Sequence, residues 1–296
     1  MCDLVINKNY SNSFLCAKVL SRLPGCTKLS RYFNDRRHKK IEKDLMPLFE
    51  YSLNKTKYHA SNNKTSSIIW VFWWQGKDKM PSLVKKCYRS IISNRGKRKV
   101  ILITQNNIKE YTTIPDYIYK KVNERKISLT HLSDILRFNL LNNFGGLWID
   151  ATIFVNDSLD VFNTNKLFTL SGYPDEKHFN VSYGRWTGFF IGGPKNSVLF
   201  NFMDTFFRAY WKYNDDLIDY FLIDYCLNYA WNKNLSNFKL IKNSTNPHLF
   251  DLQSNLNKKY NNESIQKLTY NTRVFKLSYK KSININDVDN VYSHLE

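Results

Sequence analysis

The sequence predicts an α/β protein: a mixed, mostly parallel sheet flanked by helices, with a helical extension ahead of it. Three observations carry this. From Ile68 onward, short β-branched and aromatic runs alternate with helix-length amphipathic ones, the order expected of a sheet covered by helices on both faces. The 296 residues are 43% hydrophobic and 16% aromatic, enough to bury a sizeable core in one large domain. Residues 1–63 lack that alternation and hold a dense basic cluster, so they are assigned to an extension, and 64–296 to the main domain with its polar C-terminal segment.

In the extension, Leu15, Val19, Leu20 and Leu23 line one side of a short helix that stops at Pro24-Gly25. Arg31, Arg36, Arg37, Lys39, Lys40 and Lys43 follow, then Leu45, Leu48, Phe49 and Leu53. These segments can pack beside a core or lie on an anionic bilayer. Residues 62–67 are polar and read as a linker. The first strand covers 68–74 and ends at Gln75-Gly76. Pro81 opens a helix with Val84, Cys87, Tyr88, Ile91 and Ile92 on one stripe, and 100–103 is the second strand. Ile114-Pro115 opens another helical piece, and 127–129 reads as a short strand. Leu132, Ile135, Leu136, Leu140 and Leu141 follow a period near 3.6 and predict a helix, which Gly145-Gly146 suit as a C-terminal cap. Residues 147–155 read as one strand. Gly and aromatic residues alternate over 182–194, which suggests a strand with close backbone approach to a ligand. Helices are expected over 197–211 and 215–231, the second carrying Asp216, Asp219 and Asp224. Within the polar stretch 254–296, only 274–277 looks strand-like.

A net charge of +19 suits an anionic partner, whether a membrane surface, nucleic acid or a phosphorylated substrate, with a solvated lysine-rich surface as the other reading of part of the excess. No RNP, zinc-finger or helix-turn-helix signature is present, so nucleic acid is not expected. No run of 18 apolar residues predicts a membrane span, and the N-terminus lacks the layout of a secretory signal. The five cysteines (Cys2, Cys16, Cys26, Cys87 and Cys226) are scattered without metal-ligand spacing and read as reduced thiols of a cytosolic protein.

The chemistry concentrates in two blocks. Asp134 and Arg137 lie three apart on a helix and share a face. Strand alternation over 147–155 sets Trp148, Asp150, Thr152 and Phe154 on one side, with Asp150 and Thr152 about 7 Å apart. That spacing can hold one ion or one phosphate. A carboxylate in so apolar a strand is costly unless paired, solvated or metal-bound. Two readings of Asp150 stay open, a ligand-binding acid or the cap of a neighbouring turn; Asp134 and Arg137 read equally as an ordinary helical ion pair. Ligands of such sheets bind beyond the C-terminal strand ends. Trp73 and Trp74 occupy that end of the first strand, so an aromatic platform and a carboxylate are expected at one edge.

Five blocks in order carry a resemblance: Phe72-Trp73-Trp74-Gln75-Gly76, Ser133 to Phe138, Gly145 to Thr152, Gly184-Arg185-Trp186-Thr187-Gly188-Phe189, and Asp219 to Tyr225. Over residues 68–280 the chain resembles the capsular polysaccharide synthesis proteins of glycosyltransferase family 32. The second and third blocks are also similar to those of the large clostridial glucosylating toxins. The resemblance implies a GT-A fold and a retaining transferase. It implies that Trp73, with Trp74 beside it, stacks on the nucleotide base, and that Asp134 and Arg137 bind sugar hydroxyls and ribose. Asp150 matches the first acid of an Asp-x-Asp motif, and Trp148 falls in the same donor-binding block. The second acid, ordinarily the direct metal ligand, is Thr152 here, and a hydroxyl is a poorer ligand for magnesium or manganese than a carboxylate. A divalent cation, manganese or magnesium, is the expected cofactor, with Asp150, Thr152 and a late His248 as candidate ligands; His248 also reads as a surface histidine. Asp224 and Asp219 are candidates to stabilise the oxocarbenium-like centre or orient the acceptor, or else belong to a solvated helix face. Arg185 and Trp186 are candidates for the donor pocket, with plain core as the other reading of Trp186.

The implied function is sugar transfer from a nucleotide-sugar donor, most simply UDP-linked, to a lipid-linked oligosaccharide acceptor for surface polysaccharide. The expected location is cytoplasmic, peripheral at the anionic inner face of the cell membrane. Two other functions compete: a basic membrane- or nucleic-acid-binding protein with a degenerate transferase core, and a sugar-phosphate transferase.

Overall fold

A computed structural model describes all residues except 1–3, 7, 9, 58–65, 174–179, 242–245 and 296, so most of the expected linker at 62–67 lies outside the described residues. The helices are α1 (Ser11–Leu20), α2 (Thr27–Lys55), α3 (Ser82–Ser93), α4 (Ile108–Tyr111), α5 (Asp116–Asn123), α6 (Leu129–Phe144), α7 (Val198–Tyr213), α8 (Leu222–Asn232), α9 (Leu252–Asn255) and α10 (Asn262–Thr269). The strands are β1 (Ile68–Phe72), β2 (Lys99–Ile103), β3 (Gly146–Ile149), β4 (Ile153–Val155), β5 (Phe168–Thr169), β6 (Phe190–Gly193) and β7 (Val274–Lys276).

Five strands form one mixed sheet in the order β2-β1-β3-β6-β5. β1 pairs in parallel with β2 and β3, and the β3–β6 and β6–β5 pairings are antiparallel. β4 and β7 make a separate antiparallel ribbon. Strand alternation divides the core. Trp70, Phe72 and Trp148 face one apolar cluster with Leu45, Phe49, Phe138 and Phe206, while Ile69, Val71, Leu147 and Ile149 face a second with Val84 and Ile91. The helical lead shares the first cluster through Ile41, Leu45, Leu48 and Phe49 of α2. It is tied down further by a fully buried ion pair, Arg37 Nη1 to Asp219 Oδ2 at 2.8 Å. No helix among the described residues is long and apolar enough to cross a membrane.

Several expectations need correction. Residues 127–129 are not a strand: the Ser128 hydroxyl accepts from His131 N and caps α6, so the helix starts at Leu129. Residues 147–155 are not one strand either. β3 stops at Ile149, Ile153 N bonds back to Asp150 O at 2.9 Å across a turn, and the chain leaves the main sheet to pair with β7. Over 182–194 only β6 is a strand, because the backbone turns at Tyr183 and Gly184, both with positive φ. The helix expected over 215–231 begins at Leu222; Asp219 lies before it, its carboxylate accepting from Phe221 N at 2.9 Å. In the polar tail, α10 was not expected.

The Gly145-Gly146 pair does more than end a helix. Gly146 has φ +100°, and a Cβ there would stand 2.4 Å from the Ile68 carbonyl oxygen of the neighbouring strand. Only glycine lets β3 start flush against β1, and that start sets where β3 ends.

Candidate active site

The C-terminal ends of β1 and β3 open into one cleft with two lobes. Trp73, Trp74 and Gln75 after β1, Tyr279 after β7, and the Asp150–Thr152 turn line the first. Asp134 and Arg137 of α6, with Phe189, Tyr220, Asp224 and Lys276, line the second. The lobes measure about 220 and 260 Å³ and share Thr130, Ser133 and Asp150. Joined, they reach the roughly 300–1,000 Å³ usual for small-molecule sites, which neither reaches alone.

The first lobe is an aromatic wall. Trp73 stands edge-on to Tyr279 with centroids 5.6 Å apart. The Trp73 indole N–H is buried and has no hydrogen-bond partner among the described residues, a donor left for a ligand oxygen.

Asp150 sits at the junction. Its Oδ1 accepts from Trp148 Nε1 at 2.9 Å and from Arg137 Nη2 at 3.3 Å, and its Oδ2 accepts from Lys276 Nζ at 2.8 Å. Burial alone would push this carboxyl up; the Lys276 and Arg137 cations outweigh it and hold Asp150 below the usual carboxylate range. Arg137 also donates to Asp134 Oδ1 at 2.9 Å, so one guanidinium fixes both acids. Gly188 lets the loop ahead of β6 close over it: a Cβ there would stand 3.1 Å from Arg137 Nη1.

Lys276 is the residue that sequence reasoning missed. Its Nζ donates to Asp150 Oδ2 and, at 2.9 Å, to Thr152 Oγ1. Asp150 and Thr152 come together through the turn between β3 and β4, not along one strand face, and a lysine ammonium bonds to both. Nothing local in the sequence marks Lys276. It ends a three-residue strand, and only the pairing of β7 with β4, which sets Lys276 opposite Ile153, carries it 126 positions back to Asp150.

Asp224 faces the second lobe from the first turn of α8. Trp186 Nε1 donates to its Oδ1 at 2.9 Å. Burial raises its carboxyl to about 6, the Trp186 hydrogen bond works against the rise, and nearby Asp134 adds to it.

The structure therefore brings Trp73, Trp74, Asp134, Arg137, Asp150, Thr152 and Asp224 to one cleft. Trp148 and Trp186 are fully buried beneath it, each holding a carboxylate by its indole N–H. Three other candidates stand elsewhere. Asp219 is sealed against Arg37. Arg185 is sandwiched between Trp186 and Trp231, 4.4 Å from each ring centroid, and bonds Ser182 O and Asn228. His248 bonds Asp251 at 2.7 Å and lines neither lobe. A divalent metal fits these residues poorly. Among the described residues no three His, Cys, Asp or Glu converge on one point, and the two oxygens best placed for an ion already face an ammonium.

The family model described as capsular polysaccharide synthesis protein matches residues 26–295. The chain belongs to that family. No curated protein and no solved structure matches it. A capsule-synthesis family agrees with a biosynthetic enzyme, and every residue of the cleft lies inside the matched region. α1 lies ahead of it.

Proposed function

We propose that this chain is a retaining glycosyltransferase of GT-A type that moves a sugar from a nucleotide donor, UDP-linked, to a lipid-linked acceptor in capsule synthesis. One observation carries the reading: an aromatic wall and an Asp134–Arg137–Asp150 network meet at the C-terminal ends of adjacent parallel strands. The base stacks in the lobe of Trp73 and Trp74. Asp134 and Asp150 accept hydrogen bonds from sugar or ribose hydroxyls, held in place by Arg137. The bond from the anomeric carbon to the β-phosphate oxygen breaks and its electron pair stays with the phosphate. The acceptor hydroxyl bonds to the same face of that carbon and its proton passes to the departing diphosphate. Asp224, ionised above about pH 6, faces the sugar lobe and stabilises the positive charge that develops there.

The acceptor side is the membrane. Leu15 and Val19 on α1, and Leu29, Tyr32 and Phe33 on α2, form exposed apolar stripes at helical spacing. Besides the buried Arg37, residues 11–40 hold seven Lys or Arg against one acid, Asp35, a composition suited to an anionic bilayer. Co-sedimentation with anionic but not neutral vesicles, weakened by salt, is the expected outcome; equal binding to both contradicts a charge-guided surface.

Release of a nucleoside diphosphate from one member of a panel of UDP-, GDP- and dTDP-sugars tests the reaction class. A monophosphate product instead would indicate sugar-phosphate transfer.

A further inference from the structure

We propose that Lys276 is the resident cation of this site: its ammonium, between Asp150 and Thr152, stabilises the leaving diphosphate in place of a divalent metal. The inference rests on the transferase reading above and deepens it.

The position of the ammonium is built, not incidental. Lys276 N bonds Leu249 O at 2.7 Å, and Leu277 N bonds Thr152 O at 2.9 Å, so the backbone is clamped on both sides. The ammonium also lies over the Phe189 ring, with Nζ 4.7 Å from its centroid. The side chain is about a quarter exposed, at 23%, and lines the sugar lobe beside Arg137 and Asp224. An ammonium has three N–H donors. Two serve Asp150 and Thr152, which leaves one for a phosphate oxygen at the seam of the two lobes, where a diphosphate between base and sugar must lie. A preorganised cation aimed at the developing charge costs no rearrangement at the moment of bond breaking.

The substitution at Thr152 then has a physical reason. A second carboxylate would add a further negative charge beside the Lys276–Asp150 pair and repel a phosphate; a hydroxyl fixes the ammonium without adding that charge. Arg137 is the less accessible cation: its side chain is 4% exposed against 23% for Lys276, and it already pairs with two carboxylates, Asp134 and Asp150.

The test has a binding arm and a turnover arm on the full chain. Titration of UDP, GDP and dTDP in EDTA is compared with the same nucleosides lacking phosphate, for the parent, Lys276→Ala and Lys276→Arg. The parent is expected to prefer one diphosphate over its nucleoside in EDTA, with manganese adding nothing. Lys276→Ala should lose that preference while still binding the nucleoside, and Lys276→Arg should keep part of it. In turnover, EDTA should leave the parent rate unchanged, and Lys276→Ala should lose about 10²–10³-fold in kcat. A parent that binds the diphosphate or turns over only with manganese overturns the inference and leaves the transferase reading standing. A parent that binds no nucleotide under either condition overturns both. If Lys276→Ala fails to fold, the parent arms can still overturn the inference, and Lys276→Arg still tests the assignment to Lys276.

Discussion

Asp150 and Asp224 are two carboxylates on one cleft whose surroundings push them in opposite directions. Asp150 is held low by Lys276 and Arg137 and stays ionised across the working range. Asp224 has no such cation in contact, and burial lifts it to about 6. If its ionised form stabilises the reacting centre, as proposed, kcat/KM should rise as pH increases through about 6. Asp224→Asn should remove that limb along with most of the activity, and Trp186→Phe, which deletes the hydrogen bond holding Asp224 down, should move the limb to higher pH. A pH–rate profile of the three proteins checks this; a limb that persists in Asp224→Asn assigns it to another group. The stability effect has the opposite direction. A carboxyl raised in the folded state contributes stability that is fully present below its unfolded value near 4 and is lost as pH rises through about 6. At this scale much was legible. Asp150 stands out because a carboxylate in so apolar a setting needs a partner, and Asp134 and Arg137 because their spacing sets them on one helix face. The indole donors under Asp150 and Asp224 were less so, since a buried Trp declares its bulk in sequence but not the partner of its N–H.

Elements decide where those residues meet. β1, β2, α3, α6 and α7 follow from hydrophobic periodicity, which local chain geometry enforces. The turn at Asp150–Thr152 does not, because its sequence keeps the apolar character of the strands on either side and the break is set by β4 leaving the main sheet for β7. Lys276 was invisible for the same reason: pairing partners of short strands are a tertiary property. The Gly145-Gly146 junction was read as a cap, yet its stronger role is the close approach of β3 to β1. Gly146→Ala would place its Cβ against the Ile68 carbonyl at a backbone angle unfavourable to side chains. The strained backbone alone costs about 1–3 kcal/mol, so a lower melting temperature and weaker nucleotide binding are expected together. A variant that melts like the parent would show that β3 can shift without harm, and that Asp150 is positioned by something other than this register.

For the whole molecule, the helical lead matters as much as the sheet. α2 completes the core and, through Arg37 and Asp219, fixes the loop that carries Tyr220 and Phe221 to the second lobe. Phe14 of α1 stacks on Tyr220 with centroids 5.8 Å apart, linking the basic, apolar-striped end of the molecule to the cleft. A lipid-linked acceptor held at α1 and α2 would thus arrive beside the sugar, consistent with a capsule-synthesis family. Sequence composition revealed the charge and the apolar side of α1, but not the Phe14–Tyr220 contact that ties α1 to the cleft, which depends on packing between residues some two hundred positions apart. The central claim is that this cleft cleaves a nucleotide-sugar at Asp150. The most direct measurement is the rate of nucleoside diphosphate release across the donor panel for the parent and for Asp150→Ala, with both confirmed folded. Release from one donor by the parent, lowered about 10²–10³-fold in the variant, is the predicted result. Equal release by the two proteins would contradict it.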